Sequence, residues 1–427
     1  MTPSTEFAAF VGLDWEDKNH AVCLVPGDGG EPEHGRLAQS AEAIAAWAAQ
    51  LRQRFGGRPL AVCLEQLRGP LVYALMQYEF LVLHPINPKQ LADYRKAVYP
   101  SGAKCDPNDA ELLARFLREH ADRVRAWHPD HPITRSLRLL TEQRRKWVQQ
   151  RVALTNELQQ RLKETYPLAL QLAAGALENE KFLTLLERFP SQRDLQRASP
   201  RQLTRYLPRR RRRSDDPPLE ELLRERIAAI RRATPLTTDA AVLEHARLAV
   251  EHLVAMIREV NRAISDCEQK IDQVFAQHPD ASVFASFPGA GKSLAPRLAA
   301  AFGTDRDKFH DAQELQQLSG IAPVTKCSGK TKVVYQRWAC PKFLRQTFHE
   351  FAACSVPHSA WARAYVKMRQ AQGHRYPEIL RGLAFKWQRI LYRCWQNHEP
   401  YDEQRYLQRL RATNSPLAHA LATVAPS

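Results

Sequence analysis

Four acidic residues stand where a metal-dependent enzyme would place them. Asp14 ends a short apolar run, FVGLDW, and Glu65 ends a second, AVCLEQ. Asp106 and Asp109 open a helical pattern, DPNDAELLARFLREH, and their i, i+3 spacing puts them on one helix face. Strands of one sheet can bring their ends together, and a helix start beside them adds two more carboxylates. Hard divalent cations take such oxygen ligands. Mg²⁺ held this way suits phosphoryl transfer, where two ions stabilise the attacking and leaving oxygens. Each acid also has a plainer use. Asp106 before Pro107 makes a good helix cap, and Asp109 suits the positive end of the helix dipole. Asp14 could pair with Lys18. Glu65 is the hardest to dismiss, because an unpaired charge at a buried strand end is costly. Together the four favour a metal site.

Two later segments carry other chemistry. FPGAGKS resembles the end of a phosphate-binding loop, but Ser286 stands where that loop needs its first glycine, and no apolar strand ending in an acid follows. A helix-hairpin-helix turn is the better reading, with the PGAG amides approaching a DNA phosphate and Lys292 adding charge. In LSGIAPVTKCSGKTKVVYQRW, Ser328 precedes Gly329 among Lys326, Lys330 and Lys332, with Arg337 beyond. A serine among cations at a turn could attack a phosphodiester, its alkoxide stabilised by the positive charge. A basic turn that only holds phosphate explains the same residues, and Ser319 and Ser293 are rival nucleophiles.

These residues need elements to position them. Residues 7 to 130 alternate strand-like and helix-like patterns. FAAFVGLDW and HAVCLVP, broken by EDKN, read as a hairpin. Helices are expected over 40–54, from about Pro70 to Tyr78, after Asn87 and from Asp106, with strands at LAVCLEQ and FLVLHPI. This is an α/β pattern of the RNase H-like kind. Residues 131–275 lose strand signals. From Leu243 to Val274 apolar residues recur at alternating steps of three and four, a heptad seam, and a helix over about 133–165 has Leu140, Trp147 and Leu154 with Arg144 and Arg151 between them. An antiparallel pair would form a coiled-coil arm; an ordinary bundle is the alternative. Between them Arg209, Arg210, Arg211, Arg212 and Arg213 stand in a row beside prolines, a solvated loop suited to phosphate contact. Residues 276–400 read as a mainly helical unit and 401–427 as a tail that frays from about Ser415.

Composition narrows the partners. Of 427 residues, 62 are Lys or Arg against 46 Asp or Glu, and the net charge of +16 favours a polyanion. No apolar run is long enough to span a membrane, and the N-terminus lacks a signal-peptide pattern. The eight cysteines never form C-x-x-C and read as reduced core thiols in a cytoplasmic protein rather than zinc ligands or disulfides.

The order VGLDW, VCLEQ, HPINPKQ and KCDPNDAELLARF, followed by FPGAGKSLAPRLAAAFG and LSGIAPVTKCSGK, resembles the DEDD transposases of the insertion-sequence one-ten family. The likeness covers about 125 N-terminal residues and roughly 280–400. It implies a RuvC-like domain, a coiled-coil connector and a helical C-terminal domain. It implies that Asp14, Glu65, Asp106 and Asp109 bind Mg²⁺, and that Ser328 forms a covalent link to DNA. It further implies a structured bridge RNA pairing with donor and target DNA, and a dimer or tetramer in which the RuvC-like domain of one protomer meets the serine domain of another, acting in the prokaryotic nucleoid. The arginine run has no counterpart in the family. The rival expectation is a junction-selective endonuclease that uses the carboxylates and water without a covalent step.

Overall fold

The computed structural model describes residues 7–66, 68–98, 106–173, 175–207, 218–329 and 331–422. The arginine run 209–213 and Lys330 lie outside them, as does the side chain of Asp106. The chain divides into two compact units, Met1–Pro129 and Asp130–Ser427.

The first unit is a five-stranded sheet with helices on both faces. Its elements are β1 (Ala9–Asp14), β2 (Asn19–Pro26), β3 (Glu33–Ala38), α1 (Ala41–Arg54), β4 (Leu60–Leu64), α2 (Pro70–Leu75), β5 (Leu81–Pro85), α3 (Pro88–Val98) and α4 (Asp106–His120). The sheet order is β3-β2-β1-β4-β5. β1 runs antiparallel to β2 and parallel to β4, and β4 is parallel to β5. The caps agree with the sequence: Ser40 accepts from the Ala43 amide, and Asn87 accepts from the Lys89 amide. Strand alternation sorts the core into two layers. Val11, Leu13, Val62 and Leu64 pack with Ile44, Leu51 and Leu75 of α1 and α2. Phe10, Ala61 and Cys63 pack on the other face with Leu112 and Leu113 of α4. Strand β3, EHGRLA, is exposed along most of its length and carries no hydrophobic alternation, so sequence patterning did not reveal it.

The second unit is built on two long helices, α5 (Pro132–Thr165) and α11 (Ala240–Ala276). Thr134 meets His278, Arg144 meets Glu268 and Arg151 meets Asn261. Each advance along α5 is matched by an equal retreat along the following helix, so the pair is antiparallel and in register. On α11 the buried positions include Ala246, Val250, Leu253, Ile257, Val260, Ile264 and Ile271, the residues the spacing predicts. On α5 one line of the predicted seam holds, Leu137 and Leu158 continuing it through Arg144 and Arg151, while the other moves by one residue from Leu140 to Thr141. Leu137, Thr141, Leu158 and Leu162 are buried, while Leu140 and Leu154 are only partly covered. At mid-pair Arg144 and Arg151 reach across to Glu268 and Asn261, on either side of buried Ile264.

Between the two long helices come five shorter ones: α6 (Pro167–Ala173), α7 (Glu180–Arg188), α8 (Gln192–Arg197), α9 (Pro200–Tyr206) and α10 (Leu219–Arg232). They close on a core of their own with the ends of α5 and α11, including Leu158, Phe182, Leu186, Leu203, Ile230 and Leu253. After α11 come α12 (Ala281–Ala285), α13 (Gly291–Phe302), α14 (Ala312–Leu318), the hairpin β6 (Val324–Ser328) and β7 (Thr331–Tyr335), then α15 (Lys342–Ser355), α16 (Ala360–Ala371), α17 (Tyr376–Asn397), α18 (Glu403–Ala412) and α19 (Pro416–Ala422). Trp361, Trp387 and Trp395 are fully buried in the core of this part. Each indole N–H has an acceptor there, on Tyr401, Ser355 and the Gly303 carbonyl. The tail departs from expectation. Instead of fraying at Ser415 it forms α19, which buries Leu417 against the same core.

Candidate active site

One close packing contact brings two of the carboxylate-bearing elements together. α4 lies across β1, and a Cβ on Gly12 would fall 1.9 Å from the Ala110 carbonyl oxygen. Only glycine lets the helix approach so near. Asp14 is two residues beyond Gly12 and so points to the same face of the sheet. The parallel register pairs Gly12 with Cys63 and Leu13 with Leu64, which sets Glu65 beside Asp14 at the next step. Asp109, immediately before Ala110 on α4, is 2% exposed. Two strand ends and one helix thus place Asp14, Glu65 and Asp109 toward one side of the sheet. Asp106, one turn earlier on α4, contributes its backbone to the same helix start. Among the described residues no set of three His, Cys, Asp or Glu side chains is close enough to hold a metal by itself.

One partner of this cluster was not legible in the sequence. Arg95, in the last turn of α3, reaches Asp109: its Nε and Nη2 both lie 2.7 Å from Oδ1. Among the described residues Oδ2 of Asp109 is left unused by these bonds. A basic residue near a helix end is expected for dipole reasons alone, so nothing in PKQLADYRKAV marks Arg95. Nearby Cys63 is a buried thiol pushed well above the ordinary range, first by burial and then by the Glu65 charge, and Cys23 is pushed up to about 12 by burial. Both are inert core residues. Among the described cysteines Cys327 and Cys354 are exposed, which corrects the expectation that all are core thiols.

The second candidate region is the β6–β7 ribbon, which the sequence showed only as a turn-rich break. Ser328 ends β6, pairs with Thr331 and precedes Gly329 at φ +55°. Glycine suits that left-handed turn position. Ser328 is exposed. Alternation puts Lys326 on its face and Lys332, paired with Cys327, on the opposite one. So among the described flanking cations only Lys326 is aligned with the hydroxyl. Its Nζ stands 5.7 Å from the centre of the Tyr335 ring. Arg337 is half-buried below the ribbon, its carbonyl accepting from Arg345. Ser319, the first rival, is fully buried and accepts from Gln388 at 2.7 Å, so no phosphodiester can reach it. Ser293 is exposed on the first turn of α13.

The PGAG segment is a tight turn between α12 and α13. Gly289 has φ +77°, and a Cβ there would lie 2.2 Å from the Cys354 carbonyl oxygen. No side chain caps α13, and the Lys292 side chain in its first turn is 91% exposed, 4.0 Å from Asp272. This arrangement can take an anion at a helix start.

Two family models match the chain. One, described as a transposase, of the DEDD type of IS110, covers residues 11–167. The other, described as a transposase of the IS116/IS110/IS902 family, covers residues 281–367. The chain is 28% identical to the mini-circle putative transposase for IS117 of Streptomyces coelicolor, over 93% of its own length and 96% of the relative's. It is 31% identical to the putative transposase y4uE of Sinorhizobium fredii over 49% of this chain and 59% of that one. It is 26% identical to the IS116 uncharacterized 44.8 kDa protein of Streptomyces clavuligerus over 88% and 91%. The first model spans Asp14, Glu65, Asp106 and Asp109, the second spans Ser328, and the two follow one another in a single chain whose relatives match along most of their length: the protein belongs to the IS110/IS116 family of transposases, enzymes that cut and rejoin DNA.

Proposed function

We propose that this transposase excises and inserts its element by serine attack on DNA phosphodiesters, assisted by Mg²⁺ in an RNase H-like, RuvC-type domain. The observation that carries the reading is the shared sheet face of Asp14, Glu65 and Asp109. The hairpin-led five-stranded sheet with helices on both faces supports the RNase H-like assignment. The donor set fits a hard cation: all the ligands are carboxylate oxygens, and they come from rigid strand ends and a helix. Asp14, Glu65, Asp106 and Asp109 would hold Mg²⁺, which supplies charge stabilisation at the scissile phosphate. Arg95 orients Asp109 through Oδ1 and leaves Oδ2 to the cation.

Ser328 supplies the nucleophile. Its Oγ gives up a proton and bonds to phosphorus, and the P–O bond to the leaving sugar oxygen breaks, that oxygen leaving as a hydroxyl. Lys326 on the same ribbon face lowers the cost of the alkoxide. Lys330, Lys332 and Arg337 neutralise neighbouring phosphates. The PGAG turn with Lys292, and the Arg209–Arg213 run, hold DNA or RNA backbone without reading sequence. The α5–α11 pair acts as a coiled-coil connector. A structured guide RNA chooses the sites, and dimers or tetramers complete the machine.

Trapping on suicide DNA tests the chemistry. The parent protein should stay attached to DNA after denaturation, and Ser328→Ala should abolish both the adduct and strand exchange while still binding DNA and RNA. Free 5′-phosphate ends with no adduct, or full activity in Ser328→Ala, would instead select the water-using endonuclease.

A further inference from the structure

A second charged surface lies beyond both segments matched by the transposase models. Helices α17 and α18 face each other across an open cleft of about 1000 Å³. The buried stripe of α17 runs through Leu383, Trp387, Leu391 and Trp395. The neighbouring stripe, which lines the cleft, carries Lys386, Arg389 and Arg393, and α18 answers with Arg405 and Arg409. Arg405 is paired with Glu399 at 3.2 Å at one end. Among the described residues no ion pair joins Lys386, Arg389, Arg393 or Arg409 to an acid. Like charges so arranged repel. Lys386 is held below the ordinary lysine range, first by burial and then by Arg389 and Arg369. Glu399 and Asp402 also line the cleft, so the cations outnumber the carboxylates there, an excess held at a cost in stability that an anionic occupant would remove.

The spacing says which anion. From Lys386 to Arg393 the charges spread over about 10 Å of helix axis, at a rise of ~1.5 Å per residue. That is too extended for one phosphate and suits a chain of them. Half-buried rings line the same cleft: Tyr392, which donates to the Phe309 and His310 carbonyls, and Tyr406, against Trp361 at 5.1 Å. Gly382 shapes the wall, since a Cβ there would fall 2.4 Å from the Tyr365 hydroxyl. Cations following a backbone with aromatic faces between them are the recognition pattern of an unpaired strand, whose bases are free to stack. A duplex hides those faces.

We propose that the α17–α18 cleft binds a single, unpaired nucleic-acid strand, with Lys386, Arg389, Arg393 and Arg409 along its phosphates and Tyr392 and Tyr406 beside its bases. The proposal does not rest on the serine or carboxylate chemistry. RNA and DNA strands share the recognised chemistry, and the test separates them.

The experiment uses the full chain with labelled 12-nucleotide RNA and DNA of one sequence, the matching DNA duplex, and inorganic polyphosphate as competitor. In the variant Arg389→Ala/Arg393→Ala/Arg409→Ala, strand affinity should fall at least tenfold. The slope of log affinity against log salt should shrink by about 2, since each single-strand phosphate contact contributes ~0.7. Duplex binding and the Ser328→Ala variant should show no such change. A larger loss for RNA than for DNA, or the reverse, names the natural strand, and either result upholds the cleft. In the unaltered protein, a strand carrying 4-thiouracil or 4-thiothymine should photocrosslink within residues 382–409, a readout that stands even if the variant fails to fold. The proposal is overturned if the variant binds strands as the parent does, if duplex affinity falls equally, if polyphosphate displaces the strand at equal phosphate concentration, or if crosslinks map only elsewhere.

Discussion

Single atoms decide much of this site. The missing Cβ of Gly12 lets α4, which carries Asp109, rest on β1, the strand that ends in Asp14. Gly12→Val should therefore lower stability by more than about 3 kcal/mol, above ordinary overpacking, and weaken Mg²⁺ binding as read by calorimetry. A variant as stable as the parent would mean that the close approach is not needed. Arg95 offers a finer test. Arg95→Ala leaves a buried carboxylate without its cation, so the protein should be less stable without Mg²⁺ and regain more of its melting temperature on adding it than the parent does. Equal Mg²⁺-induced shifts in the two proteins would remove Arg95 from the site. Burial also sets a pH response. His84 and His278 are both held below the ordinary histidine value of 6.5, first by burial. Nδ1 of His278 accepts from the Asp280 amide at 3.1 Å, so that nitrogen has no room for a proton. The unfolded chain takes up these protons more readily. Stability is then full above pH 6.5 and is lost as pH falls through that value toward the folded pKa values. Melting temperature should decline from pH 7 to pH 5; a flat profile would contradict the buried, neutral imidazoles.

At the scale of elements, the helix pair and the ribbon are opposites. The α5–α11 seam is apolar along α11, and polar bridges from Arg144 and Arg151 of α5 flank it at mid-pair. Ile264→Ala, at a position 5% exposed, should cost roughly 2–4 kcal/mol. Arg144→Ala breaks a pair whose Glu268 side chain is 50% exposed, and should cost under ~1 kcal/mol. Denaturant midpoints of the two variants decide this, and similar losses would mean that the polar bridges specify the pair more than its apolar seam. The β6–β7 ribbon has no buried face at all. A two-stranded hairpin is marginal in water, and Val333, Val334, Tyr335 and Trp338 stand exposed on or beside it. Such a surface is suited to completion by what the enzyme acts on. The hairpin also shows why patterning failed there: with neither face buried, no alternation of apolar and polar residues is required, and the segment reads as a turn. β3 escaped notice for the same reason.

For the whole molecule, charge is the property that the sequence states outright. A net +16 predicts DNA affinity that falls steeply with salt, and chelation of Mg²⁺ should stop strand exchange without releasing DNA. Among the described residues no helix is long and apolar enough to cross a membrane. The sequence by itself determined the hairpin start, the strands ending in Asp14 and Glu65, the helix opening at Asp106, the α11 seam and the chemistry each acid could perform. These are local facts: period, capping and residue type lie within a few positions of one another. Only the tertiary structure decided that Gly12 admits α4, that Arg95 holds Asp109, that Ser319 is sealed in a core while Ser328 is exposed, and that five helices between the long pair build a core of their own. It also moved one line of the α5 seam by a residue and gathered the cations of α17 and α18 around one cleft. Each of these depends on which surfaces meet, and residues far apart in the chain carry no local mark of the neighbour that packing will give them.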